Sequence, residues 1–291
     1  CDPWRDMTES LGRGTANDWL EIPNPAAPLG HVRHALFDFD GTISTIRQGW
    51  EGIMQPLMVE MICEGAEVSA ERRAAIEAEV AEYIDRSTGI LTIRQMEWLE
   101  EAVRRHGLAR QVRSAREYKA IYNERLLRPV RERLSRLEYG EITPDDLMIA
   151  GARRFLEALV AHGVTLYLAS GSDHIYVIKE ADALGLVPLF SGGIYGALDE
   201  TEAHDKARII QRILDEHRLC GSELLVVGDG PVEIREAKAR GALALGVASD
   251  EVRRHGWNER KRQRLLRAGA DLLIPDFTRG DELAQQLVRG S

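Results

Sequence analysis

Five short apolar runs, each closing on small or acidic residues, constrain this chain more than any other feature. They are "ALFDFD" (35–40), "VTLYLAS" (164–170), "ELLVVGD" (223–229), "ALALGVA" (242–248) and "ADLLIPD" (270–276). Hydrophobicity that is continuous over so few residues predicts strands buried on both faces, as in parallel sheets. Helical patterns lie between them. "ARRFLEALVAHG" sets Phe155, Leu156, Leu159 and Val160 on one face and closes at Gly163. "GPVEIREAKARG" follows the run ending at Asp229, with Pro231 suited to a first helical turn and Gly241 to the exit. Such alternation predicts an α/β fold, a Rossmann-like parallel sheet clothed by helices.

The alternation is interrupted once. Between about residues 47 and 147 no strand pattern occurs, and amphipathic segments follow one another. "TIRQMEWLEEAVRRHGL" places Ile93, Met96, Leu99 and Val103 at helical spacing, and "AREYKAIYNERLLRPVRERL" carries Pro129, which is expected to kink or break its helix. The expected division is an α/β core over 34–46 and 148–291 with an inserted α-helical cap over 47–147. Tyr118 and Trp98 read as the apolar interior of that cap. Residues 1–33 are polar and proline-bearing ("EIPNPAAPLG") and read as an arm or linker.

Composition narrows the partners. A net charge of −9 over 291 residues argues against a general nucleic-acid binder, although it leaves room for a local basic pocket. No apolar run approaches the roughly 18–20 residues of a membrane span, so no membrane partner is expected. Cys1, Cys63 and Cys220 are too few and too scattered for a disulfide framework, and a cytoplasmic setting is expected. A start at Cys1 rather than Met is expected of a fragment or processed product, with a possible fusion partner upstream of residue 1.

Ligands of open α/β sheets bind beyond the carboxyl ends of the strands. The first run ends in Asp38 and Asp40, the second in Ser170-Gly171-Ser172, and the third in Gly228-Asp229-Gly230, with Glu233 in the following helical turn. Lys206 opens the helical pattern "HDKARIIQRIL". Like charges held so close raise one another's pKa unless a cation offsets them. An all-oxygen donor set of this kind suits a hard cation such as Mg²⁺. Ser170, the amide of Gly171 and Lys206 add donors and positive charge for an anion such as phosphate.

"DFDGT", "LASGS", the Lys206 segment and "GDGPVE" resemble the four ordered motifs of the haloacid dehalogenase superfamily. The chain is most similar to the phosphatases of that superfamily with a helical cap after the first motif, the phosphoglycolate phosphatase and β-phosphoglucomutase type. The resemblance spans roughly residues 34–277. It implies that Asp38 is the nucleophile and that Asp40 is the general acid and base. Mg²⁺ would be held by Asp38, the Asp40 carbonyl, Asp229 and Glu233, the last directly or through water. Ser170, Gly171 and Lys206 would hold the phosphoryl group. An acid at position 40 is a feature of the phosphatases and mutases that the dehalogenases lack. Position 233 departs from the pattern, since many relatives have Asp there.

The implied activity is Mg²⁺-dependent hydrolysis of a small phosphorylated metabolite, such as a sugar phosphate, through an aspartyl-phosphate. The alternatives are a phosphomutase, a phospho-accepting switch, and a phosphatase-like lobe of a larger polypeptide. Thr42 either caps the turn after the strand or meets phosphate. Asp173 is expected to cap the helix beginning near His174. His162, His174 and His204 read as surface or capping residues. Arg47 and Gln48 lead into the cap and are expected at the substrate, where an arginine could clamp a hydroxyl, a carboxylate or a second phosphate. The break "STGILTIRQ" (87–95), with Arg94 and Gln95, is expected to face the same cleft.

Overall fold

The computed structural model describes residues 18–198 and 205–289; His204 lies outside them. After the first strand the inserted segment forms four helices, α1 (Glu51–Cys63), α2 (Ala70–Ser87), α3 (Thr92–His106) and α4 (Ala115–Glu138). Six helices follow: α5 (Ala152–Ala161), α6 (His174–Ala183), α7 (Lys206–His217), α8 (Pro231–Ala239), α9 (Glu259–Ala268) and α10 (Gly280–Arg289). The strands are β1 (His34–Phe37), β2 (Thr165–Asp173), β3 (Gly193–Ala197), β4 (Leu224–Gly228), β5 (Leu243–Val247) and β6 (Leu272–Ile274). They form one sheet in the order β3-β2-β1-β4-β5-β6, and every neighbouring pair is parallel.

Alternation along β1 explains why its run is wholly apolar. Ala35 and Phe37 join a core with Phe155 of α5 and Leu283 of α10, whereas Leu36 joins the opposite core with Ile210, Ile234 and Leu265 of α7, α8 and α9. The first core continues into the helical insertion, where Met58, Ile84, Leu99 and Tyr118 are buried. Trp98 stacks on Tyr83 with ring centroids 3.9 Å apart.

Two elements differ from the sequence reading. β3 arises from "GIYGA", which lies outside the five apolar runs. Two glycines and a half-buried edge position hide its apolar signature. Pro129 does not break α4, which runs unbroken from Ala115 to Glu138. Tyr122, Leu126 and Val130 are buried on either side of it, and at about 1.5–3 kcal/mol per buried side chain they outweigh the roughly 3 kcal/mol of one interior proline.

Residues 18–33 run beside the sheet. Glu21 forms an antiparallel bridge with Leu273 of β6, Arg262 pairs with Glu21 at 2.7 Å, and the Trp257 indole N–H donates to the Asp18 carbonyl. An open strand edge is thereby covered.

At the opposite end of the strands from their acidic tips, His34 Nδ1 lies 3.1 Å from the Tyr167 hydroxyl, itself 2.9 Å from His217 Nε2. Burial, then the nearby His217 and Arg33, push His34 down to about 4, against a smaller opposing pull from Glu223. Its ordinary value is near 6.5, so between those values the unfolded chain binds the extra proton. Stability should therefore fall as pH drops from about 6.5 towards 4, and be untouched above 7. Thermal midpoints across that range should decline less steeply in His34→Gln than in the parent, by on the order of 1 kcal/mol once solvent screening is allowed for. Parallel profiles would rule His34 out as the source.

Candidate active site

Register places the acidic strand tips. Phe37 lies opposite Leu168 of β2 on one side and Val227 of β4 on the other, and the Asp38 amide donates to the Val227 carbonyl at 2.8 Å. The chain leaving β1 therefore emerges between the Ser170 and Asp229 ends of its neighbours. This central position, where connections leave in opposite directions, is the crevice in which α/β proteins bind ligands.

Asp38 is buried, and both its oxygens are engaged. Lys206 Nζ, at the first position of α7, lies 2.6 Å from Oδ1, and the Thr42 hydroxyl donates to Oδ2 at 3.2 Å. Burial drives the Asp38 carboxyl well above its usual range; Lys206 opposes this, and Glu233 and Asp229 add to it. Burial would lower the Lys206 ammonium, but Asp38, Glu233 and Asp229 together hold it above its ordinary value. Thr42 is fully buried. Its hydroxyl is bonded to Asp38, and Thr42 is not among the residues that border the cavity described below.

Asp40 faces the end of β2. Its Oδ2 accepts from the hydroxyls of Ser170 (3.1 Å) and Ser172 (3.2 Å), while Oδ1 is buried without a hydrogen-bond partner and lies 3.8 Å from Arg47 Nε. Ser170 Oγ also accepts from the Ser172 amide. Ser170 is thus committed to Asp40, and it borders a second cavity together with Gly171 and Lys206.

On the far side of β1, Asp229 ends β4 and Glu233 lies in the first turn of α8, behind Pro231 at its first position. Glu233 Oε1 accepts from the Gly230 amide at 3.0 Å and so caps its own helix. Its Oε2 is buried, has no hydrogen-bond partner, and lies 3.4 Å from Lys206 Nζ. Asp38, Asp229 and Glu233 bring three carboxylate oxygens within 4.8 Å of one another. An orphaned buried oxygen in an all-carboxylate set fits a hard divalent cation such as Mg²⁺.

Two basic residues at the site carry no motif. Lys261 of α9 is buried and lies 2.6 Å from both Asp229 Oδ2 and Glu251 Oε1. Arg264, one turn further, donates to the Asp229 carbonyl at 3.0 Å and to the Thr88 hydroxyl at 3.2 Å. Sequence reading missed them because "ERKRQRLL" resembles a solvated face. The available signal was position: Lys261, Arg264 and Leu265 share one stripe of α9, and all three are buried.

The helical insertion closes the crevice. Its break at 87–91 lies against the strand tips, where the Thr92 hydroxyl donates to the Gly171 carbonyl at 3.3 Å. A Cβ on Gly171 would meet the Ile90 carbonyl at 2.2 Å, and one on Gly89, whose φ is +99°, would meet Glu233 Oε2 at 2.0 Å. Both positions need glycine for this approach. Asp173 makes no cap on α6 with its side chain. Instead it pairs with Lys119 and accepts from Asn123 at 3.3 Å, joining β2 to α4. Its carboxylate is drawn to a cation across the crevice rather than to its own helix.

Beneath the break lies a cavity of about 70 Å³ bordered by Asp38, Asp40, Asp229, Gly171 and Arg47. Gln48 is not among its walls; it accepts from Arg133 at 3.3 Å. Arg47 reaches the cavity, but its guanidinium is bound through Nε and Nη2 to Glu180 of α6 at 2.7, 3.0 and 3.2 Å, which pairs its charge before any anion arrives. Burial pushes the Glu180 carboxyl up and Arg47 pulls it back. Gln95 borders the cavity and donates to Ser87, whereas Arg94 lies outside it and pairs with Glu97.

Fold and site together define a doubly wound α/β enzyme whose acidic centre sits at its strand tips. The haloacid dehalogenase-like hydrolase family model matches residues 32–241. The chain belongs to that family and is a hydrolase. It is 32% identical over 111 residues to a 5'-nucleotidase of Pseudomonas aeruginosa, a match that spans 36% of this chain and 49% of that protein. Similar solved folds include a predicted phosphoglycolate phosphatase from Haemophilus somnus (TM-score 0.58, 16% identity, covering 89% of this chain and all of that one). Another is a predicted phosphatase from Clostridium acetobutylicum (TM-score 0.55, 15% identity, 88% and 98%). A third is a β-phosphoglucomutase from Clostridium difficile (TM-score 0.52, 16% identity, 85% and 92%).

Proposed function

We propose that the enzyme hydrolyses a small phosphomonoester, with Asp38 as the nucleophile. The observation that carries this reading is the Asp38 carboxylate, held between Lys206 and Thr42 and facing Asp229 and Glu233. Attack of an Asp38 oxygen on phosphorus forms an aspartyl-phosphate and releases the substrate alcohol, which takes a proton from Asp40. Asp40 then takes a proton from the water that cleaves the acyl phosphate. Lys206 and the Gly171 amide stabilise charge on the phosphoryl oxygens. Asp38, the Asp40 carbonyl, Asp229 and Glu233 would hold Mg²⁺. When bound, the cation offsets the local negative surplus and polarises the phosphoryl group. The helices over 47–147 act as a cap that excludes water while chemistry proceeds.

The nucleotidase relative supports hydrolysis of a nucleoside monophosphate or a similar small ester, alongside the sugar phosphates expected from sequence. Cys63 and Cys220 are free thiols, which supports a cytoplasmic setting. Among the described residues no helix is long and apolar enough to cross a membrane. The test is release of inorganic phosphate from a panel of phosphomonoesters. Activity should fall at least about a hundredfold in EDTA and return with Mg²⁺. Turnover that is indifferent to chelation, or an isomerised ester without free phosphate, would count against the reading.

A further inference from the structure

Charge in the leaving-group cavity points to the kind of ester that fits it. Asp40 must reach the departing oxygen, so the leaving group occupies the cavity that Asp40 borders. Among the described residues, the one charged side chain in its wall apart from the carboxylates of Asp38, Asp40 and Asp229 is Arg47. Arg47 is itself only 5% exposed, and its charge is paired through Nε and Nη2 with Glu180, which is 2% exposed. Of the two nearby lysines, Lys206 stands beside Asp38 where the phosphoryl group would bind, and Lys261 is paired with Asp229 and Glu251. What remains for a ligand is apolar or neutral: Trp50, Ile90, Tyr122 and Leu126 as walls, with Gln95 and Thr92 as polar groups. A second cavity, beside Arg94, Lys206 and Arg208, shares Gly89, Ile90 and Gly171 with the first but does not touch Asp40.

We infer that the enzyme selects phosphomonoesters whose leaving group is uncharged, and that Glu180 sets this selectivity by neutralising Arg47. The inference rests on the phosphatase reading. With Lys206 and the cation site turned to the phosphoryl group, a carboxylate or second phosphate on the leaving group would be buried beside Asp40 with no further unpaired cation among the described wall residues, which is strongly unfavourable. An alcohol with an apolar or aromatic body meets no such barrier, and its hydroxyl or amide groups find partners in the polar side chains of the wall. Glu180 touches neither phosphorus nor the leaving oxygen; it acts through Arg47. Its place in the apolar stripe Val177, Glu180, Ala181 of α6 is the one sequence sign of this role.

Matched esters differing by one charge test the inference. 2-Hydroxyethyl phosphate should exceed 2-phosphoglycolate, and glycerol 3-phosphate should exceed 3-phosphoglycerate, by about a hundredfold in kcat/KM. In Glu180→Gln the anionic member of each pair should gain about tenfold relative to its neutral partner, chiefly through KM. The double variant Arg47→Met/Glu180→Leu removes the pair without freeing a cation, and should keep the parental preference. A parent enzyme that prefers the anionic esters overturns the inference whether or not either variant folds. So does an unchanged ratio in a folded Glu180→Gln. No phosphate release from these pairs or from any ester of the wider panel would sink the phosphatase reading, and this inference with it.

Discussion

Asp38→Asn should lower phosphate release by about 10⁴-fold or more while leaving the fold intact. The carboxamide is nearly isosteric, can still accept from Thr42, and keeps its place between the tips of β2 and β4. What it lacks is a nucleophilic oxygen. Lys206 keeps Glu233 at 3.4 Å as a carboxylate partner and Asp229 nearby, so the buried ammonium is not stranded and the thermal midpoint should not fall by more than a few degrees. Freshly purified protein is needed, because slow deamidation would restore aspartate. Phosphate release and circular dichroism on the same preparation separate the two effects. Substantial turnover by a folded, undeamidated variant would contradict the assignment of the nucleophile.

Lys206→Met should damage both catalysis and folding. The ammonium lies 2.6 Å from Asp38 and 3.4 Å from Glu233, and all three residues are almost fully buried. Removing it strands two carboxylates without their cation, a loss of about 3–5 kcal/mol in stability for a buried pair broken from one side. The same charge is the donor nearest the nucleophile, and its loss should cost about 10²–10³-fold in kcat. Mg²⁺ at the carboxylates should restore part of the lost thermal midpoint, more in the variant than in the parent. A variant of parental stability in EDTA would mean that the lysine is dispensable to this cluster.

Much of this arrangement was legible beforehand because it depends on local rules. Buried parallel strands are written as short apolar runs, and their tips carry whatever chemistry the sheet holds. Asp38, Asp40, Ser170, Lys206, Asp229 and Glu233 could therefore be gathered without coordinates. Pairings that depend on how elements pack were not legible. Glu180 finds Arg47 across 133 residues of chain, Lys261 reaches back to Asp229, and Asp173 turns from its own helix to Lys119. In sequence each resembles an ordinary surface charge. Only its presence in a buried helical stripe, or opposite one, sets it apart. β3 escaped notice for the converse reason, since an edge strand with two glycines needs little apolar content.

The central claim is that phosphorus passes through Asp38. Mixing the enzyme and Mg²⁺ with a turned-over ester, quenching in acid within a single turnover and mapping the digested peptides tests this directly. The account predicts a hydroxylamine-labile phosphoryl group on the peptide bearing Asp38, present transiently and missing in Asp38→Asn. A single turnover that releases phosphate with that peptide unmodified throughout, or with the label on another residue, would contradict it.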